Sequence, residues 1–175
     1  GDLLLRQVSR RLTAMSNISD RFYRLGGDEF AFLASGLNES EAVLRAREIS
    51  ENISKPYTIN NQLIKIATCV GIVLSDNERR ADYLYKFADL ALYEAKKAGS
   101  QQIKVFRQRM LQKLQESRTL ENDMARAIEN NEFIVYYQPI VNSVSKEIYG
   151  YEALIRWMHP VKGMLSPDSF IFAAE

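Results

Sequence analysis

The sequence predicts an α+β fold: a βαββαβ-like unit without its opening strand, then a long helix, then strands again. Three observations carry this reading. Apolar residues recur at helical spacing in three separate segments, two pairs of short β-type runs flank Gly26-Gly27 and Asn60-Asn61, and residues 107–131 contain neither Gly nor Pro. A 3.6-residue apolar period marks a helix with one buried face, and alternation at period two marks a half-buried strand.

In order along the chain, Leu4, Val8, Leu12 and Met15, with Arg6, Arg10 and Arg11 on other faces, give an amphipathic helix over roughly 3–15. The runs Arg21-Phe22-Tyr23-Arg24 and Glu29-Phe30-Ala31-Phe32-Leu33 are strands joined through Gly26-Gly27, a dipeptide suited to a type I′ turn with φ > 0 at both central positions. Asn38 and Glu41 have the spacing of a capping box, and Val43, Ala46, Ile49 and Ile53 form the stripe of the helix it would start, to about Ser54. A second hairpin turns at Asn60-Asn61, between Tyr57 and Ile59 and a strand alternating through Ile64, Ile66, Thr68, Val70 and Ile72. Leu84, Phe87, Ala88, Ala91, Leu92 and Ala95 predict a helix over 81–98, with Gly99 at its left-handed C-terminal cap, and 102–106 is a strand. Residues 107–131 then read as a polar connector helix containing the domain boundary. Strands resume at Phe133–Tyr137 and Ile148–Trp157 and end at Pro160 and Gly163.

Composition narrows the function. Of 175 residues, 46% are hydrophobic and 26% charged, enough apolar material for a core. A net charge of +1 supplies no field for nucleic acid or anionic lipid, so neither is an expected partner. One Cys and one His cannot build a Cys/His zinc site, which leaves oxygen ligands for any metal. No apolar run approaches the ~20 residues of a membrane span and no signal-peptide pattern opens the chain. The segment is therefore expected to be cytoplasmic, with anchoring of a longer parent to the inner membrane left open.

The sharpest local feature is Arg24-Leu25-Gly26-Gly27-Asp28-Glu29-Phe30, two adjacent carboxylates at a glycine hairpin. Glycines admit a ligand close to the backbone, exposed turn N–H groups can receive phosphate, and neighbouring carboxylates can hold Mg²⁺ together with phosphate oxygens. This heptapeptide resembles the signature of the GGDEF family, the diguanylate cyclases that condense two GTP into cyclic di-GMP. Gly1-Asp2, Val70-Gly71-Ile72 and Ala88-Asp89-Leu90-Ala91-Leu92-Tyr93-Glu94-Ala95-Lys96 extend the resemblance from Gly1 to Phe106. Further on, Tyr137-Gln138-Pro139-Ile140-Val141 and the twelve residues Tyr149 to Pro160, containing Glu152-Ala153-Leu154, resemble the opening of an EAL domain, the family of cyclic di-GMP phosphodiesterases with an α/β-barrel fold.

The resemblance implies a nucleotidyl-cyclase-like GGDEF domain over 1–107, a connector over 108–131 and the start of an EAL domain over 132–175. It implies Asp28 as a metal ligand and Glu29 as a metal ligand or the group assisting deprotonation of the attacking 3′-hydroxyl. Gly26 and Gly27 would admit the triphosphate, Asp2 would contact guanine and Lys96 a phosphate. In the second part Glu152 would bind the metal, Arg156 a phosphate and Gln138 the dinucleotide. The implied cofactor is Mg²⁺ or Mn²⁺, the implied ligands GTP and cyclic di-GMP, and the implied assembly a homodimer or strand-exchanged oligomer. A non-catalytic module that senses GTP or cyclic di-GMP and regulates a partner domain is the alternative.

Departures from the family pattern qualify these expectations. The first strand, with a second metal-binding Asp, is expected before Gly1, so this segment alone is expected to be inactive. The inhibitory-site pattern Arg-x-x-Asp stands here as Asn17-Ile18-Ser19-Asp20, leaving Asp20 as its remnant, and Ser100 stands where an Arg is common. Without its central strand the sheet is expected to recruit another, from 132–157 or from a second copy. Cys69 is expected in the core, His159 in a structural loop, and Arg107, Arg109, Lys113 and Arg118 on a solvated helix face.

Overall fold

The computed structural model describes residues 1–17, 20–75 and 80–171. The chain forms two compact units, Gly1–Met110 and Leu111–Glu175.

In the first unit the order is α1 (Asp2–Ala14), β1 (Arg21–Gly26), β2 (Glu29–Leu33), α2 (Glu39–Ser54), β3 (Tyr57–Ile59), β4 (Gln62–Ile64), β5 (Val70–Ile72), α3 (Ala81–Lys97) and β6 (Ile103–Val105). The apolar stripes do what their spacing demands. Val8 and Leu12 of α1 meet Ile53 and Tyr57 in a buried cluster, with Phe22, Phe30, Ile49, Ile59 and Ile64 packed around it. Both halves of the capping box on α2 form: Asn38 Oδ1 accepts from the Glu41 N–H at 3.0 Å, and the Asn38 N–H donates to Glu41 Oε2 at 2.8 Å. The other end of α2 is capped by a residue the periodicity did not single out. Arg11 of α1 donates to the carbonyls of Asn52 at 2.8 Å, Lys55 at 2.7 Å and Pro56 at 3.0 Å while its guanidinium lies 3.8 Å from the Tyr57 ring centre. A cation on terminal carbonyls also opposes the negative end of the helix dipole.

Among the described residues the sheet gains no replacement for its central strand. β1 pairs with β2, β3 with β4, and β5 in parallel with β6, as three separate pairs. The run from Ile64 to Ile72 is accordingly two short strands, with 65–69 outside any ladder. Among the described residues no further strand lies against β5, so alternation alone could not extend it. The 132–157 segment pairs within itself along the whole of β7 (Phe133–Val141), which keeps one unpaired edge. Asn60 and Asn61 both have positive φ, 50° and 61°, as a type I′ turn requires. Gly99 comes just after α3 with φ 115°.

Small residues decide how β5 meets α3. A Cβ on Gly71 would lie 2.3 Å from the Ala88 carbonyl oxygen and 2.3 Å from the Leu92 nitrogen, so backbone touches backbone there. Ala91 and Ala95 on the same helix are fully buried.

The second unit is built from α4 (Gln108–Glu129), which begins in the first, and the antiparallel sheet of β7, β8 (Ile148–His159) and β9 (Gly163–Leu165), succeeded by a 3₁₀ turn at Pro167–Ser169. Its core joins Leu120, Ala127, Trp157 and Phe170, with Met124, Phe133, Ile155 and Leu165 around them. The strands are longer than the sequence suggested. Pro139 sits within β7 because that strand has one neighbour only and an edge strand tolerates a missing donor. No closed barrel is present among the described residues.

Candidate functional site

The glycine hairpin is built one residue later than its dipeptide implies. Gly26 pairs with Glu29, so the two loop residues are Gly27 and Asp28. Only Gly27 has positive φ, at 51°, which is the requirement of a type II′ rather than a type I′ turn. The ladder passes from Arg24–Phe30 directly to Gly26–Glu29, leaving Leu25 as a bulge. Such an insertion bends the strand and re-aims the residues beyond it. The result is a tip that carries Asp28 in solvent and Glu29 at the first position of β2.

Arg24, to which sequence reasoning assigned no role, holds this tip. Its Nε and one terminal nitrogen donate to the Gly27 carbonyl at 3.1 and 2.8 Å. The same side chain lines a cleft of about 320 Å³ with Asp2, Leu5, Arg6 and Ser9 of α1. Its position two residues before the glycine pair was the available signal. From the opposite direction Lys96, in the last turn of α3, places Nζ 3.6 Å from Glu29 Oε1. The fold thus brings Lys96 to the hairpin of Gly26, Gly27, Asp28 and Glu29, and sets Asp2 in the cleft that Arg24 lines.

Asp20 is elsewhere. It is 7% exposed, its carboxylate 3.0 Å from the Arg45 guanidinium and accepting the Asn17 N–H at 3.0 Å. This remnant of the inhibitory pattern is held in an ion pair that ties the residue before β1 to α2. The middle of that tetrapeptide lies outside the described residues.

In the second unit the register sets Gln138 directly opposite Glu152. Side chains alternate along a strand, so Arg156 shares the face of Glu152. Gln138, Glu152 and Arg156 therefore stand on one face, with the Arg156 guanidinium 5.8 Å from the Tyr136 ring centre, while Ile155 and Trp157 turn into the core on the other. His159 ends β8 and pairs with Gly163 instead of lying in a loop. Its Nδ1 accepts the N–H groups of Val161 and Lys162 at 3.1 and 3.2 Å, and Nε2 lies 3.3 Å from Asp123 Oδ2. Hydrogen bonding to His159 first, and to Arg126 second, holds the Asp123 carboxyl below its ordinary range. Cys69 is half-buried, its thiol 3.2 Å from the Gly99 carbonyl.

The metal question turns on donor chemistry. Among the described residues no three His, Cys, Asp or Glu side chains cluster as a ligand set. Asp28 and Glu29 supply two adjacent hard carboxylates, which fits an ion such as Mg²⁺ that keeps several waters and takes its other oxygens from phosphate.

Comparison with known proteins agrees with this geometry. The family model for the diguanylate cyclase GGDEF domain matches residues 1–102, and that for the EAL domain matches 121–175. An uncharacterised signalling protein of Caulobacter vibrioides is 36% identical over all of this chain and 22% of its own length. The bifunctional diguanylate cyclase/cyclic di-GMP phosphodiesterase MucR of Pseudomonas aeruginosa is 35% identical over all of this chain and 26% of its own. The chain thus spans about a quarter of the length of these relatives. Among solved structures, the GGDEF domain of YfiN (TpbB) from Pseudomonas aeruginosa superposes with a TM-score of 0.57 at 27% identity, covering 61% of this chain and 68% of that one. The chain belongs to the GGDEF family and continues into part of an EAL domain.

Proposed function

We propose that the first unit binds GTP with Mg²⁺ or Mn²⁺ and that, in the longer protein, it joins two GTP into cyclic di-GMP with release of two diphosphates. The observation that carries this is the convergence of Arg24, the Gly27 turn, Asp28, Glu29 and Lys96 beside the cleft that Asp2 lines. Phosphoryl transfer depends mainly on positioning and on neutralising charge. Asp2, which lines the cleft, would contact the guanine. Gly27 opens the backbone to the triphosphate, Lys96 contacts a phosphate, and Asp28 and Glu29 hold the metal, with Glu29 also able to take the proton of the 3′-hydroxyl. Bound there, the metal would neutralise phosphate charge and polarise the phosphoryl group. An exposed tip allows two copies, each with one GTP, to face each other, which a product made of two identical halves requires; this supports a homodimer, with strand exchange as the other assembly. In the EAL part, Glu152 as metal ligand, Arg156 on phosphate and Gln138 on the dinucleotide would serve hydrolysis of cyclic di-GMP.

Calorimetric titration with GTP and Mn²⁺ tests the reading. The chain is expected to bind, Asp28→Asn to weaken binding by about ten-fold or more through loss of a charged ligand, and absence of binding by the native chain would refute it. A second reading, a nucleotide sensor without turnover, is favoured by the donor set at the tip, where among the described residues no third carboxylate joins Asp28 and Glu29. With that donor set the chain itself is expected to bind GTP without making cyclic di-GMP, and chromatographic detection of the product would count against this.

A further inference from the structure

We infer that Lys96 occupies the place of the metal on Glu29 and thereby makes metal and nucleotide bind together rather than singly. The inference rests on the proposed GTP site. Its physical basis is the inequality of the two carboxylates at the hairpin. Glu29 is ion-paired with Lys96 at 3.6 Å, whereas Asp28 makes no ion pair among the described residues. With the Arg24 guanidinium on the Gly27 carbonyl as well, two carboxylates and two cations leave no net charge at the tip to draw in a free ion. A free divalent cation meets the Asp28 carboxylate there and is repelled by the ammonium beside Glu29.

A metal that arrives with a triphosphate changes the balance, because the phosphate oxygens give Lys96 a new partner and release Glu29. The exchange costs little. The Lys96 and Glu29 side chains are 59% and 45% exposed, and ion pairs so exposed are weak and screened by salt. Both ends are fixed well enough for the competition to be local: Glu29 sits in the β1–β2 ladder, and Lys96 lies in the helix that Gly71 lets pack backbone to backbone on β5. The adjacent Lys97 is different. Its ammonium lies 5.0 Å from the Tyr93 ring centre, so it carries the same charge without touching Glu29.

The test is a titration of the full chain with Mn²⁺, monitored by electron paramagnetic resonance of the free ion, at low ionic strength and with or without GTP. For Lys96→Gln the affinity for Mn²⁺ alone is expected to rise about two- to five-fold, the range of an exposed ion pair. The enhancement of Mn²⁺ binding by GTP should shrink by at least the same factor, since coupling between two ligands is reciprocal. Lys97→Gln, equal in net charge, should leave both unchanged. If Lys96→Gln leaves the affinity for Mn²⁺ alone unchanged, or Lys97→Gln raises it equally, the inference is overturned while the GTP site stands. If Asp28→Asn and Glu29→Gln leave binding of Mn²⁺ with GTP at the native level, it is the site itself that fails.

Discussion

Gly71 shows how a single missing atom can set the position of a helix. With the Ala88 oxygen and Leu92 nitrogen 2.3 Å from where a Cβ would stand, Gly71→Ala forces α3 away from β5. The expected loss is about 1–3 kcal/mol, typical of overpacking, read from urea denaturation, and it should weaken GTP binding as well, because Lys96 moves with α3. A second residue-scale prediction concerns Asp123. Its folded pKa is depressed by His159 and Arg126, so its contribution to stability is present above the ordinary carboxylate pKa and is lost as the pH falls through the folded value. The fluorescence of Trp157, the one tryptophan of the chain, should show the urea midpoint of the second unit falling between pH 5 and pH 3, and falling less in Asp123→Asn.

At the scale of elements, α2 is held at both ends by side chains. Asn38→Ala removes one half of the capping box and should cost about 1 kcal/mol, whereas Asn38→Ser should retain most of it; circular dichroism during urea titration separates the two. The β1–β2 hairpin depends on backbone conformation instead. Gly27→Val places a β-branched residue at φ 51°, a region costing such residues roughly 1–2 kcal/mol. The turn is expected to reopen, and GTP affinity to fall more than stability does.

On the scale of the molecule, each unit buries its own cluster, Val8, Leu12, Ile53 and Tyr57 in one and Leu120, Ala127, Trp157 and Phe170 in the other. We expect unfolding monitored by Trp157 fluorescence and by far-ultraviolet circular dichroism to give non-coincident transitions, the mark of more than two states. Coincident curves would show one cooperative unit. Among the described residues no helix is long and apolar enough to cross a membrane.

Local order was legible in the residues themselves. Helical spacing located α1, α2 and α3 to within a residue or so, Asn38 and Glu41 announced their box, Asn60-Asn61 its turn, and the heptapeptide 24–30 the family, because each depends on neighbours a few positions apart. The features that needed the tertiary structure depend on contacts between distant segments. Whether Ile64 to Ile72 is one strand or two turns on a partner strand, which alternation cannot supply. The Gly26-Gly27 turn shifted to Gly27-Asp28 because the Leu25 bulge changed the register. Asp20 is buried against Arg45, twenty-five positions on, a pairing that no local pattern announces. Arg24 reaches the Gly27 carbonyl from three positions away, but Lys96 meets Glu29 across sixty-seven positions, a contact that only the packing of distant segments can make.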